Sequence, residues 1–317
     1  MGAAPFVVGV VQRPPVLLDR EATLARAVEA VHEAGDAGAS LVVFPEAFVP
    51  GYPAWVWDLK PGADYGLSSE LHARLLANSV DLAGDELAPL RDAAAARGLS
   101  VVVGVHERDD RYGGGTLFNT LVTLGPDGTI RNRHRKLMPT NPERMVWGLG
   151  DGSGLRVLDT EVGLLGGLIC WENYMPLARY ALFAQGVQVY VASTWDSGET
   201  WLATMRHIAA EGRCWVIGSG CSLRRSDVPA DLPGLERLWV DGDWINPGDS
   251  VVVAPGGRIV AGPLHEEHGI LYAEIDPGRA ASERRTLDQA GHYARPDVFE
   301  LRVDRSHRPL VEFEGDG

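Results

Sequence analysis

The stretch Val162–Pro176, VGLLGGLICWENYMP, decides how the chain is read. Its first half, Val162 to Ile169, is an apolar run of the length expected for a strand buried on both faces. The run stops at Cys170, and Met175 to Gln185 has the spacing of an amphipathic helix. A strand that ends at a thiol and turns into a helix places sulfur at the carboxyl edge of a sheet, where open α/β sheets form their crevice. The N-terminus of the adjoining helix would favour thiolate over thiol. Position alone leaves a second reading open, a buried structural cysteine, which is a common fate of that residue.

Outward from this stretch, short β-rich runs alternate with helical patterns, the signature of α/β layering. Strands are expected at Phe6–Val11, Ser40–Phe44, Ser100–His106, Phe118–Leu124, Ile130–Arg135, Val187–Ala192, Cys214–Gly218 and Gly269–Ile275, with a hairpin formed by Ser250–Ala254 and Arg258–Ala261. Helices are expected over Glu21–Ala37, closed by Gly38, near Leu67–Val80 and Asp85–Arg97, and over Thr200–Gly212. Arg224–Asn246 reads as a polar, proline-punctuated insertion. No repeat or linker divides the chain, so one domain is expected, with a core from about 5 to 276 and a charged, irregular C-terminal arm over 277–317.

Composition narrows the function. The 317 residues carry 43 acidic and 29 basic side chains, a formal charge of −14, which argues against nucleic acid or an anionic membrane as partner. Three cysteines with no CxxC pair suggest neither a disulfide framework nor a zinc site. The N-terminus lacks the features of a signal peptide, and no apolar run approaches a membrane span, so a cytoplasmic protein is expected.

Two further strand ends carry reactive groups. Glu46 follows LVVFP and opens a long loop rich in proline, glycine and aromatics; Lys136 ends the basic run RNRHRK. A thiol needs a base, and an ammonium beside it can stabilise developing negative charge. Spacing does not prove that these groups meet. Glu46 could equally cap a helix, and Lys136 could belong to an exposed basic strand. Tyr52, Trp57, Trp171 and Trp195 could line a pocket or a core. His265 and His268 are three apart, which is not the HExxH spacing, and no GxSxG elbow occurs. Cys214 and Cys221 flank an expected buried strand and read as structural.

Three long motifs in order resemble the nitrilase superfamily of carbon–nitrogen hydrolases, and specifically its nitrilase branch. They are VVFPEAFVPGYP around Glu46, HRKLMPTNPERMVWGLGDGSGL around Lys136, and GLICWENYMPLARYALFAQG around Cys170; GHYARPDVFEL from Gly291 adds a fourth. The resemblance implies a four-layer α-β-β-α sandwich. It implies Glu46 as general base, Lys136 as the cation beside the developing charge, Glu143 of PTNPER as the second glutamate orienting that lysine, and Cys170 as nucleophile. His292 of the fourth motif is a candidate to approach the site. The implied activity is hydrolysis of a small organic nitrile to acid and ammonia, with no metal or organic cofactor, by a homo-oligomer of two or more subunits. An amidase or carbamoylase, a cyanide-processing enzyme and a catalytically silent assembly protein are the alternatives.

Overall fold

A strand covered on both faces needs apolar residues at consecutive positions, and that pattern produces two sheets packed face to face. In the computed structural model, which describes residues 3–109 and 113–307, the first half supplies β1 (Phe6–Gln12), α1 (Arg20–Asp36), β2 (Ala39–Val43), α2 (Tyr65–Ala77), β3 (Val80–Asp81), α3 (Ala88–Arg97), β4 (Ser100–Arg108), β5 (Leu117–Leu124) and β6 (Ile130–Arg135). The second half supplies β7 (Leu158–Thr160), β8 (Gly163–Ile169), α4 (Pro176–Phe183), β9 (Val189–Thr194), α5 (Glu199–Gly212), β10 (Trp215–Gly220), β11 (Ser222–Arg224), β12 (Trp244–Ala254), β13 (Arg258–His265), β14 (Gly269–Ile275) and α6 (Pro277–Glu283).

One seven-stranded sheet runs β14-β1-β2-β4-β5-β6, with β3 beside β4; the other runs β11-β12-β10-β9-β8-β7, with β13 beside β12. β1 to β2 and β2 to β4 are parallel, as are β8 to β9 and β9 to β10. The last strand returns to the first sheet and pairs antiparallel with β1, Phe6 opposite Ile275.

Alternate side chains of each strand go to different layers. Val8, Val10, Leu41, Val43 and Val102 meet Leu165, Ile169, Val189, Val191 and Ile217 between the sheets. Val11, Val42, Val101 and Val103 turn the other way, under Leu24, Ala27 and Val31 of α1 and Leu90 and Ala94 of α3. On the far side, Ala178 and Leu182 of α4 and Trp201, Met205 and Ile208 of α5 cover Tyr190, Ala192 and Val216. The order is helix, sheet, sheet, helix, which is the expected four-layer sandwich. The N-terminus of α1 is held by the Asp19 carboxylate, which accepts from Ala22 N at 2.9 Å, a cap that contributes about 1 kcal/mol.

Residues 225–243 depart from the polar insertion read in the sequence. Val228, Leu232 and Leu238 are buried against Tyr52, Trp55, Leu71 and Leu75, so the segment and α2 form a fourth hydrophobic cluster over the long aromatic loop. The exposed Asp231, Glu236, Arg237 and Asp241 between and beyond them conceal the spacing of these three anchors. The C-terminal arm beyond α6 is mostly exposed where described, and 308–317 lie outside the described residues.

Candidate active site

Glu46 is set by a close approach of backbone to backbone. Gly104 lies on β4 directly under the loop, where a Cβ would stand 2.4 Å from both Ala47 N and Pro45 O, so only glycine lets Pro45–Ala47 lie against the strand. The loop turns sharply at Ala47, φ 50°. Lys136 is the first residue past β6, and its backbone N–H donates to Asn119 O on β5 at 2.8 Å. Glu143 sits in a single 3-10 turn, Asn141–Met145, where its carboxylate caps Thr140 N at 2.6 Å. Cys170 follows β8 at φ 50°, a strained conformation for a non-glycine residue of the kind found where function over-determines the backbone.

These four positions, spread over 125 residues of sequence, converge. Lys136 Nζ donates to Glu46 Oε1 and to Glu143 Oε2, both at 2.7 Å. Glu46 also accepts from Asn119 Nδ2 and from the backbone N–H of Trp195, each at 2.7 Å, and Tyr52 Oη donates to Glu143 at 2.6 Å. All three charged side chains are buried, and Cys170 is 4% exposed. The sulfur feels Glu46, Lys136 and Glu143 electrostatically and is hydrogen-bonded by the Thr194 hydroxyl.

One ammonium between two carboxylates in a dry site settles the protonation pattern. Burial disfavours the charge on Lys136, but Glu46, Cys170 and Glu143 outweigh it and hold the ammonium above its ordinary value. Burial raises the Glu46 carboxyl above 4.5 in spite of Lys136, and the Glu143 charge adds to the rise. Burial, then the Glu46 charge, push the Cys170 thiol up as well. The resting nucleophile is therefore a thiol beside a base, and not the thiolate expected from a nearby helix N-terminus. Burial and the Glu46 charge set this state, and the helix N-terminus does not offset them because a 3-10 turn, Cys170–Tyr174, intervenes before α4 begins at Pro176.

Tyr52, Trp57, Thr140, Glu143, Cys170, Trp171, Trp195, Asp196, Ser197, and Ile245 to Pro247 enclose a cavity of about 240 Å³ that opens to solvent. Tyr52 and Trp195 stack at 4.3 Å, and Trp57 Nε1 donates to Tyr52 Oη at 3.1 Å. Trp171, half exposed at the rim, donates to Asp196 at 2.8 Å. All four aromatic candidates thus reach the cavity. His292 does not: it is exposed on the arm, its ring 5.3 Å from Tyr293. Tyr293 lines a different and larger recess, about 810 Å³, along the outer face of α4. That recess holds none of the predicted catalytic residues, and a motif match alone carried His292 into the candidate set.

Sequence reasoning missed Asn119, Thr194 and Asp196. Asn119 had a signal, a lone amide inside the apolar strand LFNTLVTL, since a buried polar side chain needs a partner. Cys221, read as structural, is buried, and its Sγ donates to the backbone O of Glu46 at 3.3 Å. Among the described residues no group of histidines, cysteines and carboxylates is arranged to hold a metal, and no helix is long and apolar enough to cross a membrane.

The model of the carbon–nitrogen hydrolase family matches residues 7–285. The chain is 42% identical to an aliphatic nitrilase of Sinorhizobium fredii strain HH103, over 96% of this chain and 98% of that protein. It is 38% identical to nitrilase 1 of Arabidopsis thaliana, over 98% and 91% of the two chains. Among solved structures, Nit3 of Saccharomyces cerevisiae, a member of branch 10 of the nitrilase superfamily, superposes with a TM-score of 0.71 at 22% identity, over 92% of this chain and 97% of that one; this likeness speaks to the fold.

Proposed function

The chain belongs to the carbon–nitrogen hydrolase family, on its nitrilase branch, and from that premise we propose that it hydrolyses a small organic nitrile to the carboxylic acid and ammonia. The observation that carries the reading is the buried chain of 2.7 Å bonds from Glu46 through Lys136 to Glu143, set behind the one cysteine that faces the cavity.

The assignment of roles follows from the environment of each group. Glu46, with its carboxyl raised, is a base strong enough to take the thiol proton as sulfur attacks the nitrile carbon. Two of the three N–H bonds of Lys136 are directed at Glu46 and Glu143; the third is assigned to the substrate nitrogen, together with the backbone N–H of Trp171. Proton transfer to nitrogen gives a thioimidate on Cys170. Water adds to its carbon, the C–N bond breaks and ammonia leaves, which yields a thioester. A second water releases the acid and restores the thiol, so one nitrile and two waters give one acid and one ammonia. Glu143 holds the ammonium against Glu46, and Tyr52 and Thr140 N hold Glu143. The chain's own thiol, carboxylates and ammonium supply nucleophile, base and electrophile.

A cavity of about 240 Å³ walled by Tyr52, Trp57, Trp171 and Trp195 favours a compact organic nitrile over cyanide, which needs far less room. We further infer one domain with its core over 5–276 and an arm over 277–317, assembly into a homo-oligomer, and residence in the cytoplasm. The test is ammonia and acid release over aliphatic, aromatic and arylaceto nitriles and the matching amides. Equimolar acid and ammonia from a nitrile are expected; turnover of amides with none of nitriles would move the protein to the amidase reading.

A further inference from the structure

Glu172 is wholly buried, two residues past the nucleophile. Nothing in the reaction sequence uses it. A carboxylate without solvent is costly unless its oxygens are occupied, and here both are. Oε2 accepts the backbone N–H of Ile169, the residue before Cys170, at 2.7 Å. Oε1 accepts the backbone N–H of Leu137, the residue after Lys136, at 2.7 Å. His134 Nε2, one β-strand pleat before Lys136, lies 3.0 and 3.2 Å from the two oxygens.

β6 belongs to one sheet and β8 to the other. The two strand ends that carry the ammonium and the sulfur are not hydrogen-bond neighbours in either sheet, so inter-strand pairing does not fix their separation. We propose that Glu172 is a positioning residue for the reaction: its carboxylate clasps the backbone beside Cys170 and the backbone beside Lys136, and so fixes sulfur against ammonium across the two sheets. The inference rests on the nitrile-hydrolysis reading above for its kinetic readout.

The clasp also explains how Cys170 is kept at φ 50°. Glu172 holds the peptide before the strained residue, while Asn173 Nδ2 donates to Cys170 O at 2.7 Å and holds the peptide after it. Tyr190 Oη in turn donates to Asn173 Oδ1 at 2.7 Å, which ties the turn to β9. Burial would raise the Glu172 carboxyl; His134 and the two backbone N–H groups outweigh it and keep the carboxyl below its ordinary range, so the anion is the resting form.

The substitution that reads this directly is Glu172→Gln. It keeps shape but turns one acceptor into an NH₂ that faces a backbone N–H or His134, so one arm of the clasp is lost. Thermal melts first establish that the variant is folded. The expected result is a fall in kcat of about 100-fold with KM little changed, because sub-ångström misplacement of reacting groups costs rate and not binding. If that variant does not fold, His134→Ala and His134→Gln replace it: loss of the donor lowers kcat with KM held, and the amide of Gln recovers most of the loss. The rate at which iodoacetamide alkylates Cys170 serves as a second readout that needs no nitrile; it is expected to change in Glu172→Gln. A wild-type protein that releases no ammonia from any nitrile would sink the reaction while this alkylation still tests the clasp. Folded variants at residue 172 or 134 with wild-type kcat and wild-type alkylation rates would overturn it.

Discussion

Replacing Lys136 by methionine keeps most of the length and volume of the side chain and removes its charge. In the native site the ammonium stands 2.7 Å from an oxygen of Glu46 and 2.7 Å from one of Glu143, with all three side chains shielded from water. Without it two carboxylates share a dry site, and breaking a buried pair in this way costs about 3–5 kcal/mol. Spread over the unfolding entropy of a chain of 317 residues, that is a fall in Tm of roughly 5–8 °C. The deficit has a definite pH dependence. Burial already lifts the Glu46 carboxyl above 4.5 against the pull of Lys136, and removal of that pull lifts it further. A folded pKa above the unfolded one means the native state binds more protons between the two values, so stability falls as pH rises through that window. The Tm deficit of K136M is therefore smallest near the unfolded carboxyl value and grows toward neutral pH. Catalysis suffers separately. Loss of one donor to a developing anion costs about 10²–10³-fold in kcat, and Glu46, now held protonated nearer neutral pH, is a poorer base. Ammonia release at saturating nitrile, alongside melts followed by circular dichroism across pH, measures both effects. A K136M enzyme within tenfold of wild-type kcat, or one whose Tm deficit shrinks as pH rises, would rule out this electrostatic role for Lys136.

Cys170→Ala folds with near wild-type Tm and loses about 10⁴-fold or more in kcat; turnover at the wild-type rate would remove the thiol from the reaction. Because Glu46 must be ionised to accept the thiol proton and its carboxyl is raised, the acid limb of kcat/KM falls above the ordinary carboxylate value of 4.5. A limb at or below that value in the pH–rate profile contradicts the assignment of Glu46. Gly104→Ala places a methyl 2.4 Å from Ala47 N and Pro45 O; it destabilises by about 1–3 kcal/mol and lowers kcat by displacing Glu46. A crystal structure of that variant with an unmoved Pro45–Ala47 loop would show the approach to be slack.

Much of this was legible in the sequence. The strands β2, β4, β5, β8 and β9 announce themselves as aliphatic runs because both of their faces are covered, and α1 and α5 because one face of each is not. Glu46 and Cys170 each stand just past such a run, so their place at a sheet edge could be read directly, whereas Lys136 follows the basic strand β6 and Glu143 lies in a 3-10 turn that only the family motif singled out. What could not be read was convergence. Glu46 and Lys136 are 90 residues apart, and nothing local to either encodes a 2.7 Å contact; the family motifs stood in for that information. Residues 225–243 look like a polar insertion because anchors such as Val228, Leu232 and Leu238 follow no helical or strand period. His292 sits in the shortest of the four motifs and lies on the exposed arm, because a motif records resemblance and not position. The thiol's protonation is not legible in the sequence because burial and the Glu46 charge, which raise it, exist only in the fold, and a 3-10 turn separates sulfur from the helix N-terminus.

Every later step of the reaction depends on covalent attack by the sulfur of Cys170, and acid-quenched peptide mass spectrometry during turnover observes that bond itself. With a nitrile substrate, the peptide carrying Cys170 should gain the full mass of the nitrile as thioimidate, or that mass with NH replaced by O as thioester. Cys214 and Cys221, both buried and neither lining the cavity, should stay unlabelled. Steady nitrile turnover with no adduct on Cys170, and undiminished turnover by Cys170→Ala, would contradict it.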